Sequence, residues 1–217
     1  RSSDLEGVHI MQASDLISRA QYTLNDDDVH WIESTELLSH ANEGMVEAVK
    51  LKPDIYPTES TISMVTGTKQ SIAATAFRLL DVVRNAAGNK RSVRHVDRWT
   101  LDAYKPEWAN ETAVSEVQLF TFDDINPGSF HVYPPNDGNG SILAVVSAPP
   151  TAMADVDATF PLNDFWAGTV INWMLYRAFA KDSDAVKYFE RSQAFYKAFL
   201  SDLGRTDMVE AKTTPKE

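Results

Sequence analysis

Residues 165–180, which read FWAGTVINWMLYRAFA, decide the fold class of this chain. Apolar side chains from Trp166 to Phe179 recur at helical spacing and cover most of the circumference of the predicted helix. A helix that is apolar nearly all round is buried on several sides. The stretch therefore predicts a central helix against which other helices pack.

Three further helices with one apolar face each are predicted, two before this stretch and one after it. Their expected limits are a Ser14-Asp15 cap to Asn25, about Thr35 to Lys50 before Pro53, and about Asp184 to Leu203 before Gly204. The aromatic residues of the last helix, Phe189 among them, are expected to pack against the helix at 165–180. Helices from both chain ends must meet to bury these faces.

The middle of the chain has the pattern of β-structure instead, with short runs of β-branched and aromatic residues between turn residues. The expected strand pairs are 58–66 with 70–72, 77–85 with 92–96, and 117–122 with 130–133, and a last strand covers 142–147. Residues 97–105 predict a short helix. Residues 134–140, which read PPNDGNG, predict a turn.

The predicted fold class is therefore α+β. We expect an antiparallel helical bundle built from both chain ends, a β-rich insertion and an extended C-terminal tail. The predicted segments are 1–56 and 160–204 for the bundle, 57–159 for the insertion and 205–217 for the tail.

The composition restricts the partners. The chain has 20 Lys or Arg and 31 Asp or Glu, and its net charge is −11. Such a surface repels phosphate, which argues against sequence-specific nucleic-acid binding but suits a wall past which DNA slides. No apolar run reaches the roughly 18 residues that span a bilayer, so no membrane partner is expected. The absence of cysteine excludes disulfides, cysteine-based zinc sites and thiol catalysis.

Motifs for phosphate binding and for nucleophilic catalysis are absent from the sequence. His30 and Glu33 are three residues apart, as are His40 and Glu43, but a metal site needs three or four convergent ligands. We therefore expect no catalytic residue, no metal and no cofactor. The alternative is a small enzyme that uses carboxylate and histidine groups, in which several of these four residues share a deep cleft.

Seven short motifs occur in a fixed order along nearly the whole chain, up to Leu203. They are ASDLISRA at 13–20, HWIESTELL at 30–38, EAVKLKPD at 47–54, RLLDVVRN at 78–85, FHVYPP at 130–135, WMLYRAFAKDS at 173–183 and AFYKAFL at 194–200. In this order the motifs resemble the head-to-tail adaptor, or connector, proteins of tailed bacteriophages.

The resemblance implies a structural virion protein of the phage neck, made in the host cytoplasm, that is not an enzyme. Such proteins form a dodecameric ring beneath the portal protein. The ring extends the DNA channel, lets double-stranded DNA pass without specific binding, and provides an attachment platform for tail or nozzle proteins. A stopper or tail-tube subunit of the same neck is the alternative within this class.

Two groups of site residues follow as expectations. In related adaptors the C-terminal segment commonly docks on the portal, and the candidate portal-binding residues in the corresponding tail are Arg205, Met208, Val209, Glu210 and Lys212. The candidate channel-lining acidic loop consists of Asp26, Asp27 and Asp28, for which a plain solvated loop is the other interpretation.

Overall fold

The computed structural model of the chain describes residues 10–25, 33–123, 125–181 and 186–204. The predicted mixed α+β class is confirmed, and the described residues form five α-helices and two sheets. The helices are α1 (Ala13–Leu24), α2 (Ser34–Leu51), α3 (Arg98–Tyr104), α4 (Ala167–Lys181) and α5 (Val186–Asp202). The strands are β1 (Pro57–Ser63), β2 (Gly67–Ser71), β3 (Arg78–Asn85), β4 (Arg94–His95), β5 (Leu119–Phe122), β6 (Ser129–Asn136) and β7 (Ser141–Ser147).

The chain divides into two compact units. Arg1–Lys52 and Pro150–Glu217 form the helical unit, and Pro53–Pro149 forms the β unit. The stretch just after residue 150 attaches to the start of α1 through backbone hydrogen bonds. Ala13 N donates to Ala158 O at 2.9 Å, and Phe160 N donates to Met11 O at 2.9 Å. The predicted insertion extended to residue 159, whereas the β unit ends at Pro149.

In the helical unit, α4 contacts α1, α2 and α5. The buried residues of α4 span a wide arc of the helix and are Ala167, Thr169, Val170, Met174, Leu175, Ala178 and Phe179. The other helices contribute the fully buried large side chains Leu16, Leu37, Met45, Phe199 and Leu200. Each such side chain contributes roughly 1.5–3 kcal/mol. This burial stabilises contacts between helices that lie far apart in the sequence.

Two details of these helices differ from the prediction. α1 begins at Ala13 rather than after a Ser14-Asp15 cap, because Gln12 N donates to Asp15 Oδ2 at 2.9 Å and closes the first turn earlier. Phe189, predicted to be packed, is 54% exposed. The Phe179 ring of α4 stacks instead on Tyr188 and Phe195, with centroid distances of 6.1 and 5.7 Å.

The β unit contains two sheets with strand orders β1-β7-β3 and β2-β6-β5-β4. Neighbouring strands are antiparallel except β4 and β5, which are parallel. Apolar side chains from both sheets form one shared core, which includes Leu79, Val82, Phe120, Phe130 and Ile142. The predicted pairing of 117–122 with 130–133 is confirmed as β5 with β6.

The predicted hairpin of 58–66 with 70–72 is wrong. β1 pairs with β7 from Pro57↔Ser147 to Ser63↔Ser141, whereas β2 pairs with β6 in the other sheet. The buried Gln70 side chain stabilises the turn between β1 and β2. Its Oε1 accepts from Val65 N at 2.8 Å, and its Nε2 donates to Val65 O at 2.8 Å and to Gly67 O at 3.0 Å. Gly67 has a φ of 107°, which suits glycine. This turn carries the chain from one sheet to the other.

Two further strand predictions need correction. The stretch 92–96 meets β3 at the single described bridge Arg84↔Ser92, and β4 pairs in parallel with β5 instead. β6 continues through 134–136, so the predicted turn starts at Asp137. Proline lacks an N–H, but the register with β5 ends at Tyr133, so the prolines interrupt no bond of that ladder.

Candidate interaction surfaces

His40, one of the four residues of the alternative enzyme site, lies in α2 between two ion pairs. His40 is 8% exposed, with Glu36 Oε1 3.7 Å from its Nε2 and Glu43 Oε2 3.8 Å from its Nδ1. Neither ring nitrogen has a hydrogen-bond partner among the described residues. Burial lowers the pKa of His40, which keeps the ring neutral at pH 7.

The two carboxylates pair with α4 rather than with His40. Lys181 Nζ lies 2.6 Å from Glu36 Oε2, and Arg177 Nε lies 3.3 Å from Glu43 Oε2. The arrangement is a pair of bridges between two helices, not an aligned acid–base pair. Within residues 10–25, 33–123, 125–181 and 186–204, no three His, Asp or Glu side chains form a group that could hold a metal ion. No described helix is long and apolar enough to cross a membrane.

A shallow groove of about 580 Å³ lies beside these bridges and is lined by residues of α2 and α4. Beside the groove, Gly44 of α2 lets Trp173 of α4 approach closely, since a Cβ at this position would lie 2.9 Å from Cδ1 of Trp173.

The residues predicted to line the channel and to bind the portal lie outside the described residues. They are Asp26, Asp27 and Asp28 in the acidic loop and Arg205, Met208, Val209, Glu210 and Lys212 in the tail. His30 lies outside them as well.

In the β unit, the short helix α3 lies on the outer side of the second sheet. Leu101 and Trp108 pack there with Tyr133 of β6, and Val96 and Leu119 contact the same cluster. The indole N–H of Trp108 donates to Asp102 Oδ1 at 2.7 Å. These contacts fix the segment that connects β4 with β5.

A polar triad holds the end of α3. Lys105 donates hydrogen bonds to Glu111 and to the Tyr133 hydroxyl, which in turn donates to Glu111 Oε2 at 2.8 Å. The hydrogen bond with Glu111, and then that with Tyr133, raises the pKa of Lys105. The hydrogen bonds from Lys105 and then Tyr133 lower the pKa of Glu111. Lys105 and Glu111 therefore stay charged around neutral pH, and their hydrogen bonds to the Tyr133 hydroxyl hold the end of α3 against β6.

Large aromatic side chains of α3 and two arginines that precede it are exposed in this part of the β unit. Trp99 and Tyr104 are each 83% exposed. Arg91 and Arg94 are exposed as well and line a groove of about 370 Å³ with Gln118. Sequence reasoning missed this surface, although the density of cations in residues 90–105 of an acidic chain was a usable signal.

Comparison with protein families shows to which family the chain belongs. The family model described as "SU10 adaptor protein" matches residues 11–216, which includes the helices of both chain ends and all of the β unit. A comparison with curated proteins returns no match. Because the family match spans almost the entire chain, the protein belongs to the SU10 adaptor protein family, a family of phage head-to-tail adaptors.

Proposed function

We propose that this adaptor assembles as a dodecameric ring beneath the portal, extends the DNA channel and provides the platform to which tail or nozzle proteins attach. The observation that carries the proposal is the family match over residues 11–216. A virion adaptor of this kind is a structural protein rather than an enzyme.

The charge of the chain supports this role. Each copy has a net charge of −11, so a ring concentrates negative charge around its axis. Walls of that sign repel DNA phosphates and limit adhesion during passage. A closed ring also needs two different surfaces that match head to tail on neighbouring copies.

Native mass spectrometry of the full chain mixed with the portal ring of the same phage tests the proposal. We expect twelve copies added to one portal. A folded chain that adds no copies would overturn the proposal and favour a stopper or tail-tube subunit, which binds the tail side of the neck.

We further propose that the tail at 205–217 provides the portal contact. Its residues Arg205, Met208, Val209, Glu210 and Lys212 follow directly after Gly204, which ends α5 with a φ of 71°. A chain that ends at Gly204 should lose portal binding in a pull-down while its melting temperature stays unchanged. Full binding by the shortened chain would refute the tail contact.

The acidic loop with Asp26, Asp27 and Asp28 is proposed to face the channel. Replacing the three residues with Asn removes their charge at nearly constant volume. If the loop lines the channel, DNA packaging or ejection changes while assembly of the ring does not. Normal infectivity of a phage that carries the variant would identify a solvated loop.

A further inference from the structure

One segment of the β unit carries charge opposite to that of the whole protein. Residues 90–105 contain five Lys or Arg and two Asp, within a chain of net charge −11. Asp102 is already engaged, because it accepts from Trp108 and lies 3.6 Å from Arg98 Nε. Arg91 and Arg94 have no ion-pair partner among the described residues. These two guanidinium groups therefore remain available to an acidic partner.

Arg94 lies on the side of the second sheet that carries α3, and Arg91 lines the same groove as Arg94. Val96 packs with Leu101 beneath α3. Residues two apart along a strand face the same side, so Arg94 lies on the face that carries α3. The β4 register supports this placement, since Arg94 is paired with Leu119, which contacts the same cluster.

The exposed residues have the composition of a protein interface. Trp99 and Tyr104 are each 83% exposed on a helix that is fastened by a buried Trp108 and a polar triad. Large rigid aromatic residues next to arginine are the side chains most enriched where proteins bind each other tightly. Trp99 and Tyr104 on the same short helix are therefore candidate anchors for a protein partner.

We infer that the α3 surface, made of Arg91, Arg94, Trp99 and Tyr104, is the contact by which one copy binds the acidic helical unit of the next copy. This inference rests on the proposed ring. Residues 1–52 and 150–217, which form the helical unit, contain 20 Asp or Glu and 12 Lys or Arg. The charges are thus complementary between different surfaces of the same chain, as a head-to-tail ring requires.

DNA is the less favoured occupant of the same surface. Two arginines would attract phosphate, but the net charge of −11 repels the duplex as a whole. The aromatic pair also has no function in binding a double-stranded backbone, because stacked bases are not accessible to it.

The test compares Arg94→Glu with Arg78→Glu. Both residues are exposed, both begin a strand of the β unit, and Arg78 lies in the other sheet. Sedimentation velocity measures self-association of the free full chain, and native mass spectrometry counts the copies on the portal. We expect Arg94→Glu to weaken association between copies by about tenfold or more, while Arg78→Glu behaves as the unaltered chain.

A photo-crosslinking amino acid in place of Trp99 identifies the partner directly. We expect crosslinks to peptides of the helical unit of a second copy. Crosslinks to the portal or to DNA, an absence of crosslinks in the assembled ring, or equal association of both variants would overturn the inference.

The two proposals fail in different ways. If the unaltered chain adds no copies to the portal, the proposed function is wrong. The α3 contact is still supported in that case if the free chain self-associates and Arg94→Glu removes this association. If the ring forms on the portal with Arg94→Glu as with the unaltered chain, the α3 contact is wrong and the proposed function stands.

Discussion

Gly44→Ala tests how closely α2 and α4 pack. The new Cβ would lie 2.9 Å from Trp173 Cδ1 and 3.0 Å from both Cβ and Cγ of the same residue. These atoms form the root of the indole, so a rotation of the ring does not relieve the overlap. The backbone of α4 must therefore shift, and the shift passes to Phe199 of α5, whose ring centroid is 5.0 Å from that of Trp173.

The expected magnitude is the difference of two effects. Overpacking of a well-filled contact costs about 1–3 kcal/mol, whereas alanine stabilises a helix by about 1 kcal/mol relative to glycine. We expect a net loss of up to about 2 kcal/mol in the free energy of unfolding of the helical unit. For a protein of this size the melting temperature should fall by up to about 8 °C.

Gly168→Ala is the matched control. Gly168 lies in the first turn of α4, and no described heavy atom lies within 4 Å of a Cβ built there. The same substitution should therefore be neutral or stabilising by up to about 1 kcal/mol. Thermal unfolding followed by circular dichroism at the helix band measures both variants. Equal or greater stability of Gly44→Ala than of Gly168→Ala would refute the proposed close packing.

Three further predictions concern polar side chains that are buried or half-buried. Asn85→Ala should destabilise the β unit by about 3 kcal/mol or more in urea unfolding, because Val117 N and O lose partners at 2.9 and 2.8 Å. Asn42→Ala should cost about 1–3 kcal/mol, since the backbone of Met153 loses hydrogen bonds at 2.8 and 3.0 Å. Because burial lowers the folded pKa of His40, stability should fall as the pH drops below about 6.5, and His40→Gln should reduce this dependence in unfolding at several pH values.

Each of these predictions has a clear contrary result. A free energy of unfolding within about 0.5 kcal/mol of the unaltered protein would show that the hydrogen bonds of Asn85 or Asn42 to the backbone do not stabilise the fold. For His40, an unchanged slope of stability against pH in the variant would assign the dependence to another group, for example His131, whose pKa burial also lowers.

Local patterns predicted the elements where side-chain periodicity and end signals agree. The short helix α3 begins after Asp97 and ends before Pro106, as expected, and proline cannot continue a helix because its ring clashes with the preceding turn. The pairing of β5 with β6 was predictable as well, since a short turn joins the two strands. The resemblance of seven ordered motifs correctly predicted the family.

Strand partners far apart in the sequence could not be predicted in this way. β1 carries an ordinary strand pattern, but its partner is β7, about eighty residues later, and the choice depends on the buried Gln70 turn. The α3 surface was missed for a related reason. Whether Trp99 is buried or exposed depends on which side of a seven-residue helix packs on the sheet.

The sequence by itself therefore determined the mixed α+β class, the positions of most helices and the adaptor family, because these follow from local spacing and from motif order. The tertiary structure alone decided which strands pair, that His40 is a buried residue between two ion pairs that join α2 and α4, and that Trp99 and Tyr104 of α3 are exposed. Those features depend on long-range packing, in which side chains distant in sequence compete for the same contacts, and no local pattern records the outcome.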